Sequence, residues 1–327
     1  MFFKTVLVAT DKITYRDEPV LAASRIAKQN NAKLHIIHVL ESTSTKNREM
    51  VKHFQTGKEI LTNTAYETSV KRELGNVYAQ LLHEADNCEI KVVAGFPWLE
   101  ITRYGREIYP DLIVIGPHAG AAQEKGIVRV VGKIGSTVEG VIKRERCPVM
   151  IVNNIHPSRA PLYRNVFAAI DFSKSCACAL IFAEKLAKAH GGKLIIFHLV
   201  PVPPDPNYSQ DDYATDVNIA TRRLDDFCGE YVKDVDFEML VLGGALPHME
   251  ILKWAQKNNA DAIVMGSHTK AHRGRWYPGN AVERVSIQSH CPVIVITDPS
   301  ALQPWEHDAP GKQRTKPDAT RSMHAQT

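Results

Sequence analysis

The feature that most constrains this chain is an internal repeat, in which five short blocks of the first half return in the same order in the second half. Counterparts are 160 residues apart for the first two blocks, 150 for the next two and 144 for the last. The pairs are Lys4–Asp11 with Asn165–Asp171, Lys33–Val39 with Lys193–Leu199, Pro97–Ile101 with Pro247–Ile251, Asp111–Gly116 with Asp261–Gly266, and Cys147–Val152 with Cys291–Ile296. Chance does not preserve such an order, so the sequence predicts two copies of one domain.

The repeated blocks predict strands of a parallel sheet. Each is a short run rich in Val and Ile, which is the pattern of a strand buried on both faces. Segments with helical spacing separate the blocks, among them Glu18–Gln29 and Ser175–His190. We therefore expect an α/β fold with two tandem Rossmann-like domains, each a five-stranded parallel sheet with helices on both faces. The expected strands lie near 4–10, 33–39, 89–94, 111–116 and 147–152, and near 165–171, 193–200, 235–242, 261–266 and 292–297.

The ends of the repeated blocks predict the domain boundaries. The first domain is expected over residues 1–153 and the second over residues 165–298. Between them, residues 154–164 contain Pro157 and Pro161 and are predicted to form a linker. Residues 299–327 are polar, with no apolar periodicity, and predict a disordered tail.

The composition excludes several classes of protein. The chain has 327 residues and a formal net charge of +4, from 40 basic and 36 acidic residues, which is too even for nucleic acid or an anionic membrane as main partner. Its six cysteines do not form a disulfide framework in a chain of this length. No signal-peptide pattern opens the sequence, and no apolar run is long enough to span a membrane. We expect a cytoplasmic protein with reduced thiols, without nucleic acid or membrane partners.

Two aspartates mark the predicted ligand-binding edge of the sheets. Ligands of open parallel sheets bind beyond the carboxyl ends of the strands, where the strand order reverses. Asp11 and Asp171 follow the first strand of their halves, and a carboxylate there can accept hydrogen bonds from a ribose or an adenine amino group. Aspartate is also favoured at helix N-caps and in turns, so both readings stay open.

Glycines follow the fourth strand of each half. Gly116 and Gly135 occupy this region of the first half, and Gly266 and Gly279 that of the second. A glycine lets backbone N–H groups approach phosphate oxygens, and a helix N-terminus adds N–H donors and a favourable dipole. A glycine-rich loop that only turns the chain is the alternative.

These glycines and the Cys-Pro-Val strands resemble the universal stress protein family over about residues 1–298. Nucleotide-binding members carry Gly-x-x-Gly, nine residues, and then Gly-Ser or Gly-Thr. The second half keeps the spacing from Gly266 to Gly279 but has Thr269 and Asn280 in two motif positions. The first half has Ala119 at the second glycine and a loop six residues longer, but it keeps Gly135 and the following serine. The resemblance is closest to the tandem, two-domain type.

The resemblance implies an ATP-binding protein of the stress response, with or without Mg²⁺, whose halves pair through their last strands. It implies no catalytic residue, no metal ligand from the protein and at most slow ATP hydrolysis; a homodimer of the tandem chain stays open. The implied adenine and ribose contacts are Thr10, Asp11 and Val39 in the first half, and Ile170, Asp171 and Leu199 in the second. The implied phosphate contacts are Gly116, His118, Ala119, Gly135, Ser136 and Thr137, and in the second half Gly266, His268, Thr269, Gly279, Asn280 and Ala281.

Two other classes of function compete with nucleotide sensing. A regulatory scaffold of the same family that binds no nucleotide is supported by Ala119, Thr269 and Asn280. An enzyme with adenylating or hydrolysing chemistry would need a base or nucleophile set, and the sequence contains none at a diagnostic spacing. The run Gly126–Lys133 is not a Walker loop, because five residues separate its glycines and Ile134 follows the lysine.

Overall fold

The structure, a computed structural model, describes residues 2–11, 17–43, 49–53, 56–84, 87–117, 134–153, 163–267 and 280–297. Ten strands, five from each half, form one sheet in the order β10-β9-β8-β11-β12-β7-β6-β1-β2-β5. Its strands are β1 Thr5–Thr10, β2 Lys33–Glu41, β5 Cys88–Gly95, β6 Leu112–Ile115, β7 Val149–Ile151, β8 Asn165–Ile170, β9 Lys193–Pro201, β10 Phe237–Gly244, β11 Ala262–Gly266 and β12 Val293–Ile296. The α/β fold with parallel strands in each half is confirmed.

The two predicted sheets are joined edge to edge. Within each half the strands are parallel and follow the order third, second, first, fourth, fifth. The last strands of the halves, β7 and β12, pair antiparallel, with Val149 opposite Val295 and Ile151 opposite Val293. This seam makes the five-stranded halves one continuous sheet, in which the carboxyl ends of the two sets of strands lie at opposite edges.

Nine helices of the described residues cover the two faces of the sheet. They are α1 Glu18–Asn30, α2 Thr64–Val77, α3 Ala79–Glu84, α4 Pro97–Ile108, α5 Ser136–Arg144, α6 Lys174–Ala189, α7 Gln210–Tyr231, α8 Pro247–Lys257 and α9 Asn280–Gln288. One buried cluster lies under α1, α2, α6 and α7, and the other under α4, α5, α8 and α9. Each cluster contains residues of both halves, so the core runs through the seam.

Aspartates at the amino ends of the fourth strands repeat one contact in both halves. The Asp111 Oδ2 accepts hydrogen bonds from the backbone N–H groups of Lys4 and Thr5, at 2.7 and 2.9 Å. Asp261 accepts the matching bonds from Arg164 and Asn165, at 2.9 and 3.0 Å. These repeated aspartates therefore anchor the first strand of each half, far from the carboxyl ends where a ligand would bind.

The first half contains a hairpin that the sequence did not predict. Strands β3 (Met50–Lys52) and β4 (Glu59–Leu61) pair antiparallel, and Ser42 bridges to Val51 just after β2. Val51 is fully buried in the core. The hairpin accounts for much of the extra length of the first half between its second and third sheet strands.

The proposed division at residues 154–164 and the tail at 299–327 fall mainly outside the described residues, so both stay predictions. Among the helices that the structure does describe, not one combines the length and apolar character needed to cross a membrane.

Candidate functional site

The strand order creates a crevice in each half between the first and fourth strands. In the first half, β1 pairs with β2 on one side and with β6 on the other. Chain connections leave the two strands toward opposite faces, which is the topological switch point where ligands of this fold class bind. The register of β1 with β6 sets Gly116 level with Thr10, and Asp11 follows with an exposed side chain.

The two glycine segments of the first half meet at this edge. The backbone N–H of Gly135 donates to the carbonyl of Pro117 at 2.9 Å, which holds the start of α5 beside the end of β6. Gly135 is the N-cap of α5 and supplies no side-chain hydrogen bond to its first turn. By contrast, Asp17 caps α1 and Ser173 caps α6 through side chains. Among the described residues, the N-cap of α5 therefore leaves the N–H donors of its first turn without a side-chain bond, next to the exposed Ser136 and the half-buried Thr137.

A buried polar group holds the end of β1 in the first half. The Thr10 hydroxyl donates to the Asp17 carboxylate and lies 3.2 Å from the Tyr78 hydroxyl. The Tyr78 hydroxyl donates to Asp17 Oδ2 at 3.1 Å. Burial raises the pKa of Asp17 to about 6, against the opposing effect of the hydrogen bonds from Thr10 and Tyr78. Burial, together with the charge of Asp17, holds the pKa of Tyr78 above its ordinary value, so its hydroxyl stays a donor.

A histidine of the second strand binds the end of the first strand in both halves. His38 Nδ1 lies 2.9 Å from the Thr10 carbonyl oxygen, and His198 Nδ1 lies 2.9 Å from the Ile170 carbonyl oxygen. Burial lowers the pKa of both imidazoles. A neutral ring that binds a carbonyl oxygen must carry its proton on Nδ1, so the hydrogen bond fixes the tautomer.

In the second half, Asp171 and Phe172 follow the end of β8 and make different contacts from those of the first half. Asp171 Oδ1 accepts from the backbone N–H of Ser173 at 3.0 Å and so stabilises the turn into α6. Phe172 has a φ of 63°, an uncommon backbone conformation for a side chain of this size. Its ring packs 4.4 Å from that of His198, and the Arg223 guanidinium lies over the ring at 4.1 Å. Phe172 therefore packs on the face of β9 that carries His198, whereas Leu199 packs against the cluster on the opposite face of the sheet.

The first turn of α6 lies against Gly266. A Cβ on Gly266 would stand 2.5 Å from the backbone nitrogen of Cys176 and 2.5 Å from the carbonyl carbon of Ser175. Helix α6 begins three residues after Asp171, whereas α1 begins seven residues after Asp11. The second half thus has an extra helical turn packed on the glycine that was expected to contact phosphate.

The structure locates part of the predicted site. In the first half it brings Thr10, Asp11 and Gly116 to one edge, with Gly135, Ser136 and Thr137 beside Pro117; Val39 follows His38 at the end of β2. In the second half, Ile170, Asp171, Leu199 and Gly266 occupy the corresponding positions, and Ala281 lies in the first turn of α9. The predicted residues His118, Ala119, His268, Thr269 and Gly279, and the side chain of Asn280, lie outside the described residues.

Sequence reasoning missed Asp17, Tyr78 and Phe172. The Pro19 that follows Glu18 is a signal for a helix start, and it could have marked Asp17 as an N-cap. Tyr78 lies 61 residues from Asp17, and no local sequence pattern predicts the contact between them. Phe172 stands where the first half has Lys12, a difference between the copies that could have indicated unequal crevices.

The described cysteines and acidic groups do not suggest metal or thiol chemistry. Within the described ranges, no three His, Cys, Asp or Glu side chains are grouped so that they could hold a metal ion. Burial raises the pKa of Cys176 and Cys291 to about 12, and both are buried. Such thiols remain protonated at neutral pH and are poor nucleophiles.

Comparison with known proteins finds one family twice along the chain. The sequence model described as the universal stress protein family matches residues 2–153 and again residues 162–297. Universal stress protein MJ0531 of Methanocaldococcus jannaschii is 27% identical over 157 residues, which cover 46% of this chain and 91% of that protein. A universal stress protein of Thermus aquaticus is 26% identical over 145 residues, covering 41% of this chain and 99% of that protein. Both relatives therefore correspond to about half of this chain.

A solved structure matches the whole tandem arrangement. The crystal structure of a universal stress protein from Archaeoglobus fulgidus DSM 4304 superposes with a TM-score of 0.61 at 21% identity. The match covers 90% of this chain and 96% of that chain. At this level of identity it supports the fold of both halves together.

Proposed function

Because the chain belongs to the universal stress protein family and carries its domain in tandem, we propose that it is an adenine-nucleotide sensor whose ligand binds in the first half. The observation that carries this proposal is the N-terminus of α5. Its N-cap, Gly135, offers no side-chain hydrogen bond, and its N–H joins this helix to the end of β6 at the switch point. Backbone donors and a helix dipole at that place suit the phosphates of a nucleotide.

The residues present fit an adenine nucleotide in named roles. The N–H groups of the first turn of α5, with the hydroxyls of Ser136 and Thr137, would bind phosphate oxygens. The exposed carboxylate of Asp11 would accept hydrogen bonds from the ribose, and the half-buried Val39 would contact the base. Bound Mg²⁺ would neutralise phosphate charge, with ATP as its main ligand.

The second half supports a structural or regulatory role instead. Phe172 packs on His198 at the end of β9, and the first turn of α6 packs on Gly266. The first turn of α6 thus takes up space beside the glycine to which the family pattern assigns a phosphate contact. The proposal is therefore one nucleotide per chain, with binding changing the surface that the first half offers to partners in a stress response within the cytoplasm.

Isothermal titration of ATP with Mg²⁺ tests the site with a matched pair of variants. Gly135→Trp places a large side chain at the start of α5, at a φ of −65° and ψ of 152° that any residue adopts, and should abolish binding. Gly279→Trp makes the corresponding change in the second half and should leave the affinity and a stoichiometry near one unchanged. Equal loss in both variants, or none in either, would contradict the assignment to the first half.

The non-binding scaffold remains the second candidate, favoured by the packing of the first turn of α6 on Gly266 in the second half. Mass spectrometry of the purified chain for co-purifying nucleotide separates the two functions. Absence of ATP binding in the wild type, in titration and in mass spectrometry alike, would favour the scaffold.

A further inference from the structure

Thr10 is held by side chains from three different elements. Its hydroxyl donates to Asp17 at the start of α1 and contacts Tyr78 at the end of α2, and its carbonyl oxygen binds His38 of β2. All four side chains are buried. Buried hydrogen bonds of this kind fix geometry, because breaking one leaves a polar group without water. The Thr10 side chain and the carbonyl of the Thr10–Asp11 peptide are thus both held by buried side chains.

The second half keeps only one of these contacts. His198 binds the Ile170 carbonyl oxygen at the same 2.9 Å as its counterpart. Ile170 has no hydroxyl, and the residue 160 positions after Asp17 is Ala177, inside α6. The complete set of hydrogen bonds therefore occurs in the first half, and the second half retains only the histidine contact.

We propose that His38, Asp17 and Tyr78 are positioning residues that hold the Thr10–Asp11 peptide so that the Asp11 carboxylate recognises the ribose hydroxyls of the nucleotide. This inference rests on the proposed function and adds the residues that hold its ribose contact in position. Asp11 is exposed and follows Thr10 directly, so holding the Thr10 carbonyl fixes the plane of the peptide that leads into Asp11. A carboxylate held in place before the ligand arrives binds more tightly and discriminates better than one that must be ordered on binding.

The test compares ATP with 2′,3′-dideoxy-ATP, which lacks both ribose hydroxyls. The wild type should bind ATP about tenfold more tightly, because hydrogen bonds to a carboxylate are charge-assisted. Asp11→Asn should remove most of this preference. His38→Leu and Tyr78→Phe should reduce the ATP to dideoxy-ATP affinity ratio toward one while binding through the phosphates persists.

Two further variants separate positioning from general stability. His38→Asn places an N–H donor at the same distance from Cβ as Nδ1 and should restore the ratio. His198→Leu breaks the corresponding bond of the second half and should leave the ratio at the wild-type value, even where it lowers the melting temperature. If His38→Leu fails to fold, Tyr78→Phe keeps the ring and removes only the hydroxyl, so the ratio can still be measured.

The outcomes distinguish this inference from the proposed function. Wild-type binding of ATP without preference over dideoxy-ATP overturns ribose recognition but leaves nucleotide binding intact. A ratio unchanged in both His38→Leu and Tyr78→Phe overturns the positioning role. Absence of any ATP binding by the wild type overturns the proposed function and this inference together.

Discussion

At the scale of single residues, Glu145 shows how burial controls a carboxyl group. Glu145 is the C-cap of α5 and is 7% exposed. Its Oε1 has no hydrogen-bond partner among the described residues. Burial raises its pKa to about 7, although the nearby Arg106 acts to lower it. The counterpart in the second half is Ser289, whose hydroxyl donates to the Cys291 carbonyl at 2.7 Å. A small, satisfied hydroxyl thus replaces the buried acid in the other copy.

Glu145→Gln should stabilise the fold in a pH-dependent way. The folded state binds the proton more tightly than the unfolded state, so wild-type stability falls as the pH rises from about 4.5 to 7. The glutamine variant lacks this loss and should gain about 1–3 kcal/mol relative to wild type above pH 7, and little below pH 4.5.

Denaturant unfolding between pH 4 and 8 measures this difference in the free energy of unfolding. Glu139→Gln, on the same helix, is the control: its side chain pairs with Lys143 at 2.7 Å near the surface, and the change should have a small effect. A Glu145→Gln effect that does not vary with pH would contradict the assigned cause.

Gly266→Ala should destabilise the second half. The new Cβ would stand 2.5 Å from α6 backbone atoms, which cannot move as easily as the end of a side chain. We expect a loss of about 1–3 kcal/mol in the free energy of unfolding.

The matched control for this change is Gly229→Ala in α7, where a Cβ meets nothing within 4 Å. Removing the backbone freedom of glycine from a helix should there stabilise the chain by about 0.5–1 kcal/mol. Thermal melts of both variants check the contrast. A Gly266→Ala protein as stable as wild type would show that α6 can withdraw from the end of β11.

At the scale of elements, α7 depends on its N-terminal cap. Ser209 accepts from the Asp212 backbone N–H at 3.1 Å, and the Asp212 carboxylate accepts in return from the Ser209 N–H at 2.9 Å. The fully buried residues of α7, Leu224 and Cys228, lie in its C-terminal half. Its first turns therefore gain less from packing than its last turns.

Ser209→Ala should loosen the start of α7 more than its end. We expect hydrogen exchange to accelerate over residues 210–217, while the amides around Leu224 keep their protection. Global stability should fall by about 1 kcal/mol or less, the usual effect of losing a cap. Gln210→Ala, beside the cap, is the control and should leave exchange unchanged. Uniform acceleration along the helix would contradict a local role for the cap.

The same scale shows what the sequence could predict. Strands such as Leu112–Ile115 are buried on both faces. Burial on both faces requires a continuous run of apolar residues, which can be recognised in the sequence. The hairpin of β3 and β4 was missed because three-residue strands are too short for alternation to show. The strand predicted from Cys147 begins at Val149, since Pro148 has no N–H for the ladder.

The candidate site was predictable only in part, for a physical reason. Glycine and aspartate at strand ends follow from the geometry of parallel sheets, so Asp11 and Gly135 could be named in advance. How the two halves differ at this edge depends on where α1 and α6 begin and on how Phe172 packs with His198 and Arg223. These contacts join residues that are distant in sequence, so they cannot be inferred from the periodicity of either segment alone.

At the scale of the whole molecule, the halves share their core. Phe2 of the first half packs 5.6 Å from Phe182 of α6 and 6.2 Å from His190, which follows α6. Both buried clusters continue across the pairing of β7 with β12. Domains joined by a continuous apolar core unfold together, because exposing one half uncovers the contact surface of the other.

The chain should therefore unfold in a single thermal transition. Trp98 lies in α4 and Trp254 in the corresponding helix of the second half, α8, so each reports on its own half by fluorescence. Variants that keep only one of them as the sole tryptophan should show the same midpoint, and calorimetric and van't Hoff enthalpies should agree. Separate midpoints for the two reporters would show that the halves unfold independently.

Because both halves belong to one chain, the pairing of β7 with β12 does not depend on the protein concentration. A lone copy of this domain would have to meet a second copy in solution, and its pairing would weaken as the protein became scarce. Here the partner is tethered, so the local concentration of one copy around the other does not depend on expression level. One copy can therefore acquire substitutions on its surface while the two copies stay paired. The presence of Lys12 in the first half and Phe172 at the corresponding position of the second is such a difference.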